Sequence, residues 1–432
     1  MASIDSITYL KNGGYLQKGT KVNLREADIE KKVHDLLPSR WFRDEKIFQL
    51  ERRAIFSRLW HLASFTARFK KPGDYLTLEM FGWPFFLIRD KKGNINAFHN
   101  ICRHRGHPVI TKQYGSSTVL SCRFHGWSYL PTGELHKARD YMDLQDFDPK
   151  SHSLFQVHTH TTAQGFIFVN FDAAETPSVS FGDQFGDDFD PNPTSTTGCE
   201  IGNEYEYFQK HGWEYDNTWE SSTIGTQFNW KTFTDGFQEC YHCPTGHPTT
   251  LPKDYDLKNY YLRQGIGASR HFLPLKTPSD DEAYITWLYP IGFLSFSKTM
   301  LCIFRFSATG VLNTSYHNEM YRRADLKKPS TEYDEWYNEN IPYWRLVDIE
   351  DLQLAIAAQK GFSNGVFEKG RVHPVQEHAV KWYQDKVRTS LLEHIQLENK
   401  LGKNFDYSIP HDQREYDESD PICKHMGPEY EW

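Results

Sequence analysis

The chain has 432 residues, of which 38% are apolar, 15% aromatic and 25% charged. That mixture excludes disorder, collagen and coiled coil, and the length leaves room for two or three domains, each with its own core. Its 49 basic and 57 acidic residues give a net charge of −8 with no Lys/Arg block, which excludes a general electrostatic nucleic-acid binder.

Residues 1–41 are polar and mixed and read as an N-terminal extension. They lack the charged-then-apolar layout of a signal peptide, and Asp5 speaks against a transit peptide, so a cytoplasmic location is expected. Residues 43–60 place Ile47, Phe48, Leu50, Ala54, Ile55, Leu59 and Trp60 at helical spacing. The period then shortens. Strand-like patches broken by Gly and Pro, with a turn at Asp90–Gly93, run to 172 and suggest a compact antiparallel β domain over 42–172. Residues 173–205, rich in Asp, Gly, Pro, Ser and Thr, read as a surface connection between domains.

The remainder, 206–432, reads as α+β, with helices expected at 228–243, 346–360 and 375–400. The last shows Val375, Ala379, Trp382, Val387, Leu391, Leu392 and Ile395 on one side. The most apolar stretch, Ile285 to Phe306, is interrupted by Ser295, Ser297, Lys298, Thr299 and Arg305, so no transmembrane helix is expected. No internal repeat appears.

Twenty histidines and an odd seven cysteines, at 102, 122, 199, 240, 243, 302 and 423, do not make a disulfide framework and direct attention to metal. Cys102-Arg103-His104 is followed, after 17 residues, by Cys122-Arg123-Phe124-His125. Four such ligands suit one tetrahedral zinc, or a [2Fe–2S] unit with two Cys on one iron and two His on the other. Zinc sites more often pair like with like, whereas this pattern puts one thiolate and one imidazole on each loop. With its flanks NICRHRGHPV and SCRFHGWSYLPTGEL, including Gly126, Trp127 and Gly133, the segment resembles the Rieske proteins. It departs from them at Arg123-Phe124, which leaves the four ligands untouched. Trp127 after His125-Gly126 resembles the oxygenase branch. His107 lies nearby but outside the pattern.

The second constellation is NWKTFTDGFQECYHCPTGHP, residues 229–248. His242 and His247 would face apart on a continuous helix. Pro244 and Gly246 imply a helix end near Cys243 and a turn that returns His247 beside His242. A carboxylate would complete a 2-His-1-carboxylate site for Fe(II), and Cys240 and Cys243 need not be ligands. The segment resembles the catalytic motif of Rieske oxygenase α subunits. There the resemblance implies Asp351 of LVDIEDLQLAIAAQKG as third ligand, with Glu350 and Asp348 as runners-up. It also implies that Glu239, three residues before His242, bridges to a Rieske histidine of a neighbouring subunit. Glu rather than Asp at that position resembles the branch acting on quaternary ammonium compounds, choline monooxygenase and carnitine oxygenase among them. Asp235, one turn earlier, could extend the acidic path.

The resemblance implies an α+β fold: a β-rich Rieske domain, then a helix-grip (START-like) antiparallel-sheet catalytic domain. It further implies a [2Fe–2S] cluster and a mononuclear Fe(II), a separate reductase, a homotrimer, and use of O₂ to hydroxylate or N-demethylate a small substrate. No nucleic-acid or membrane partner is expected. A quaternary ammonium substrate would need an aromatic cage; Trp230, Tyr284, Trp287, Tyr289, Phe293, Phe296, Phe304 and Phe306 supply aromatics in the catalytic half, though most read as core. The alternatives are an aromatic or secondary-metabolite substrate and, more remotely, a Rieske electron carrier without oxygenase activity.

Overall fold

The computed structural model describes residues 34–189, 210–223, 226–277, 284–297, 299–411 and 413. Nearly all of the expected N-terminal extension, and 190–205 of the expected connection, lie outside them.

The first half is built on a seven-stranded antiparallel sheet in the order Trp60–Phe65, Phe166–Asn170, Gln156–Thr161, Ile95–His99, Trp83–Arg89, Asp74–Met80, Tyr114–Ser116. The expected turn closes one of its hairpins, where the Asp90 carboxylate accepts the N–H groups of Lys92 and Asn94. A small three-stranded sheet (Leu120–Ser121, Ser128–Tyr129, Leu135–Lys137) stands beside it. The first two strands in that order, Trp60–Phe65 and Phe166–Asn170, are buried on both faces. Period two sends Leu62, Phe166 and Phe168 into one apolar cluster and Ala63, Ile167 and Val169 into another. Both clusters also hold residues of the second half, so the two sheets share their cores.

The second sheet also has seven antiparallel strands, ordered Trp213–Thr223, Asn313–Arg323, Met300–Gly310, Phe293–Phe296, Tyr284–Leu288, Ala268–Phe272, Tyr261–Gln264. The apolar stretch 285–306 thus makes three sheet strands. Polar ties cross between the halves: Arg305 donates to the Ala63 carbonyl at 2.9 Å and pairs with Glu319 at 2.9 Å, while Ser64 donates to Glu319. Among the described residues no helix is long and apolar enough to cross a membrane.

Four sequence expectations need correction. The expected helix 346–360 is the second half of a 33-residue helix, Thr331–Ser363. Its first turns escaped notice because TEYDEWYNENIPYWR is polar and carries Pro342; Ser330 caps the start by accepting the N–H of Tyr333. The expected helix 228–243 is cut short to Trp230–Phe237. The last helix, His378–Leu401, buries Ala379, Trp382, Val387 and Leu391, but Val375 precedes it and Val375, Leu392 and Ile395 are exposed. The connection is not purely surface: Phe181–Phe185 is helical, and Phe185 and Phe189 are buried against Phe166 and Phe168.

Candidate metal centres and substrate cavity

The two Cys/His loops fold alike. Gly106 N–H bonds the Cys102 carbonyl and Gly126 N–H the Cys122 carbonyl, each at 3.0 Å, with both glycines at positive φ (72° and 76°). The amides of Cys102 and Cys122 each donate, at 2.8 Å, to the carbonyl five residues on, in His107 and Trp127. Two near-identical loops thereby present two buried thiols from below and two imidazoles at the surface, whose ring centroids lie 4.5 Å apart. Trp127 stacks on His104 at 4.9 Å, and the Tyr129 hydroxyl lies 3.3 Å from the Cys102 sulfur. That split donor set, soft sulfur inside and nitrogen outside, fits a Rieske cluster. His107 contributes its carbonyl to the loop, and its ring nitrogen lies 3.8 Å from the Cys122 sulfur.

In the catalytic half, Asn229 starts the helix Trp230–Phe237 by accepting the N–H of Lys231. Buried Gln359 of the long helix fixes that start, accepting from Asn229 N–H and Thr232 Oγ1 and donating to the Phe42 carbonyl. The helix stops at Phe237, so Glu239 and His242 do not share the helical face that a helix over 228–243 would have given them. They meet instead because the Glu239 carboxylate accepts the N–H groups of Tyr241 and His242, and Oε1 lies 2.7 Å from His242 Nδ1. Pro244 sits inside the short turn Cys243–Gly246, which returns His247 towards His242.

Both Nε2 atoms converge on a single oxygen, Asp351 Oδ1, at 3.4 Å from His242 and 3.1 Å from His247. The outer ring nitrogens are taken by carboxylates, Glu239 for His242 and Glu350, at 2.9 Å, for His247. A carboxylate on Nδ1 fixes the tautomer with its lone pair on Nε2, the arrangement a metal-binding histidine needs. Burial disfavours charge on His242, but its bonds to Asp351 and Glu239 outweigh this and lift its pKa to about 10; Asp351 and Glu350 likewise raise His247. Those protons occupy the place a divalent cation would take. Three donors with outer positions anchored suit a mononuclear Fe(II) with open coordination.

Cys240 and Cys243 are bonded to each other, with Cα atoms 5.0 Å apart. The seven cysteines are therefore not free of disulfides, and although the Cys243 sulfur lies within 4.8 Å of both histidines, the bond leaves it no thiolate to offer. Asp348, a runner-up for the third ligand, accepts instead from the Tyr316 hydroxyl at 2.7 Å, and burial lifts its pKa to about 7. Asp235 bonds Gln384 at 2.7 Å and makes no contact with Glu239, though both line one cavity beside Asp351.

A second cavity, of about 730 Å³ counting the open space at its mouth, also meets the triad. His242, His247 and Asp351 line it, together with Phe237, Phe293, Phe304, Tyr260 and Trp344. Of the eight aromatics expected from sequence, only Phe293 and Phe304 are there. Trp230 is in the core donating to Glu51, Trp287 and Phe306 pack behind Phe293, Tyr284 and Phe296 face each other elsewhere, and Tyr289 packs on Tyr383. Glu350, a runner-up for the third ligand, instead holds the outer nitrogen of His247; Phe237, Tyr260, Trp344 and Gln359 were missed, and their roles depend on long-range packing that no spacing in the sequence encodes.

Comparison with known proteins bears on both centres. The chain matches the Rieske [2Fe-2S] domain over residues 59–148 and the catalytic domain of the ring hydroxylating alpha subunit over 206–393. This is a Rieske non-haem iron oxygenase α subunit. The oxygenase therefore has two iron cofactors, a [2Fe–2S] cluster and a mononuclear iron, and its α+β fold is a Rieske domain followed by the catalytic domain. It is 24% identical, over 369 residues, to the carnitine monooxygenase oxygenase subunit of Acinetobacter pittii, covering 81% of this chain and 93% of the relative. To the glycine betaine monooxygenase oxygenase subunit of Chromohalobacter salexigens it is 33% identical over 215 residues, covering 50% and 44% respectively. The solved structure of the quaternary ammonium Rieske monooxygenase CntA with L-carnitine superposes with a TM-score of 0.68 at 22% identity, covering 84% of this chain and 97% of that one. At that identity the superposition speaks for the fold.

Proposed function

We propose that this oxygenase uses O₂ to hydroxylate or N-demethylate a small quaternary ammonium compound. The observation that carries the reading is the cavity facing the triad. Aromatic rings line it, Asp348 adds a carboxylate beside Glu239 and Asp351, and it has no Lys or Arg lining residue among the described ones. A desolvated trimethylammonium group is stabilised by ring faces and by a nearby carboxylate, whereas an anion would find only His242 and His247, already paired with Glu239, Glu350 and Asp351. The names of the two relatives, a carnitine and a glycine betaine monooxygenase, support the same substrate class.

Cys102, Cys122, His104 and His125 would hold the cluster, and His242, His247 and Asp351 the mononuclear iron. When bound, these groups supply single electrons and O₂ activation. Overall, R–H + O₂ + 2e⁻ + 2H⁺ gives R–OH and H₂O, so a separate reductase must deliver the electrons. Glu239 and Glu350 orient the imidazoles. By its likeness to the family, Glu239 also bridges to a Rieske histidine of a neighbouring subunit in a homotrimer, and Asp235, along the cavity that Glu239 lines, extends that acidic path. A cytoplasmic location completes the reading.

The test offers reduced, iron-loaded enzyme choline, carnitine, glycine betaine or an aromatic acid in turn. O₂ uptake with product is expected from at least one quaternary ammonium compound and none from the aromatic acid; the reverse favours an apolar substrate and overturns the reading. Asp348, ionised only above about pH 7, should make tetramethylammonium binding strengthen as pH rises through 7. In Asp348→Asn that dependence should flatten, and an unaltered pH profile would remove Asp348 from the cation site.

A further inference from the structure

We propose that Tyr260 and His271 recognise the end of the substrate remote from its ammonium group. The pair offers one uncharged hydrogen-bond donor, which selects a trimethylammonium compound ending in a hydroxyl or carbonyl over one ending in a carboxylate. This rests on the quaternary ammonium reading of the cavity.

His271 lies on the strand Ala268–Phe272 between Leu262 and Ile285 of the flanking strands. Its side chain is buried, 5% exposed, and lines the cavity, as does Tyr260. The Tyr260 hydroxyl is 2.9 Å from Nδ1, while Nε2 has no hydrogen-bond partner among the described residues. A neutral phenol and a neutral imidazole carry one O–H and one N–H, and only one of these is used between them. If Tyr260 donates to Nδ1, the Nε2–H is left over. If Nδ1–H donates to Tyr260, the phenolic O–H is left over. Either tautomer leaves one donor unmet in a pair that lines the cavity, and a buried unmet donor is costly until an oxygen accepts it.

The donor carries no charge. Burial pushes the His271 pKa down to about 3 and raises that of Tyr260 well above its usual value. Around it the cavity presents Glu239, Asp348 and Asp351, and the basic side chains among its described lining residues, His242 and His247, are already paired with Glu239, Glu350 and Asp351. A carboxylate would enter with no unpaired counter-charge and beside acidic groups of its own sign. A hydroxyl or carbonyl oxygen needs only the donor.

The test uses three probes on the holoenzyme: choline, propyltrimethylammonium (a methyl in place of the hydroxyl) and glycine betaine. Dissociation constants by anaerobic calorimetry are read alongside kcat/KM. Choline should bind at least about tenfold more tightly than either of the others, the size of one well-placed hydrogen bond. In Tyr260→Phe/His271→Leu the three constants should fall within about threefold of one another. His271→Gln, able both to accept from Tyr260 and to donate, should keep the preference. If the double variant does not fold, the probes on the parent enzyme decide. Equal binding of choline and propyltrimethylammonium, or of choline and glycine betaine, overturns this inference and leaves the quaternary ammonium reading standing. Binding of none of the three overturns both.

Discussion

Glu239 holds His242 by three bonds: Oε1 to Nδ1 at 2.7 Å, and Oε2 to the N–H groups of His242, at 3.1 Å, and Tyr241. Truncation in Glu239→Ala frees both the ring and the turn that carries it. Loss of such an outer partner weakens metal binding by about 10–100-fold, or ~1.4–2.7 kcal/mol. Glu239→Gln keeps one acceptor but not the charge. A charged acceptor exceeds a neutral one by ~1 kcal/mol, so iron affinity should fall only about fivefold. The assay is Fe(II) competition against a chromophoric chelator, on protein whose cluster absorption is unchanged. An Ala variant within about threefold of the parent would refute the positioning argument. Single-turnover kinetics separate the second role. A Gln variant that retains iron but passes electrons at least about tenfold more slowly supports the bridge, and one with normal rate and yield refutes it.

Two further outcomes follow from buried charges. Lys231 Nζ and Glu51 Oε1 pair at 2.6 Å with both side chains 0% exposed, so Lys231→Met strands a buried carboxylate at a cost of about 3–5 kcal/mol. Its Tm should drop by about 3–6 °C, and Lys231→Met/Glu51→Leu should recover most of it; a drop under about 1 °C would mean the pair matters little. Asp235 has its pKa raised by burial to about 8, against 3.8 for the free side chain. A raised carboxylate binds its proton more tightly in the fold, so its contribution to stability is lost as pH climbs from about 4 to 8. Asp235→Asn should match the parent near pH 4 and exceed it by about 2 kcal/mol at pH 8.5, half-burial tempering the full linkage value; denaturant titrations giving parallel pH profiles would contradict this.

How much the sequence revealed depended on the reach of each interaction. The Cys102/His104 and Cys122/His125 loops were legible because ligand, glycine and hydrogen-bond partner all fall within five residues. His247 returns to His242 through a local proline turn, which spacing announced. Asp351 was reached only by likeness to a family, since it meets the histidines across 104 to 109 residues of chain. The helix end at Phe237 was misplaced: Tyr241 and His242 are held by the Glu239 carboxylate rather than by the backbone ladder, and composition does not distinguish the two. The substrate cavity was the least legible part. Strand pairing decides which face each aromatic takes, so Phe293 and Phe304 line it while Phe296 turns to the opposite cluster.

The central claim is that one chain carries two iron centres on separate residue sets, and metal analysis of two variants tests it most directly. In His247→Ala, the mononuclear iron and turnover should be lost while acid-labile sulfide and the cluster's visible absorption stay at parent levels; in Cys122→Ser, sulfide and absorption should be lost while an iron bound by His242, His247 and Asp351 remains. Loss of cluster absorption in His247→Ala, or full iron content and turnover in that variant, would contradict the account.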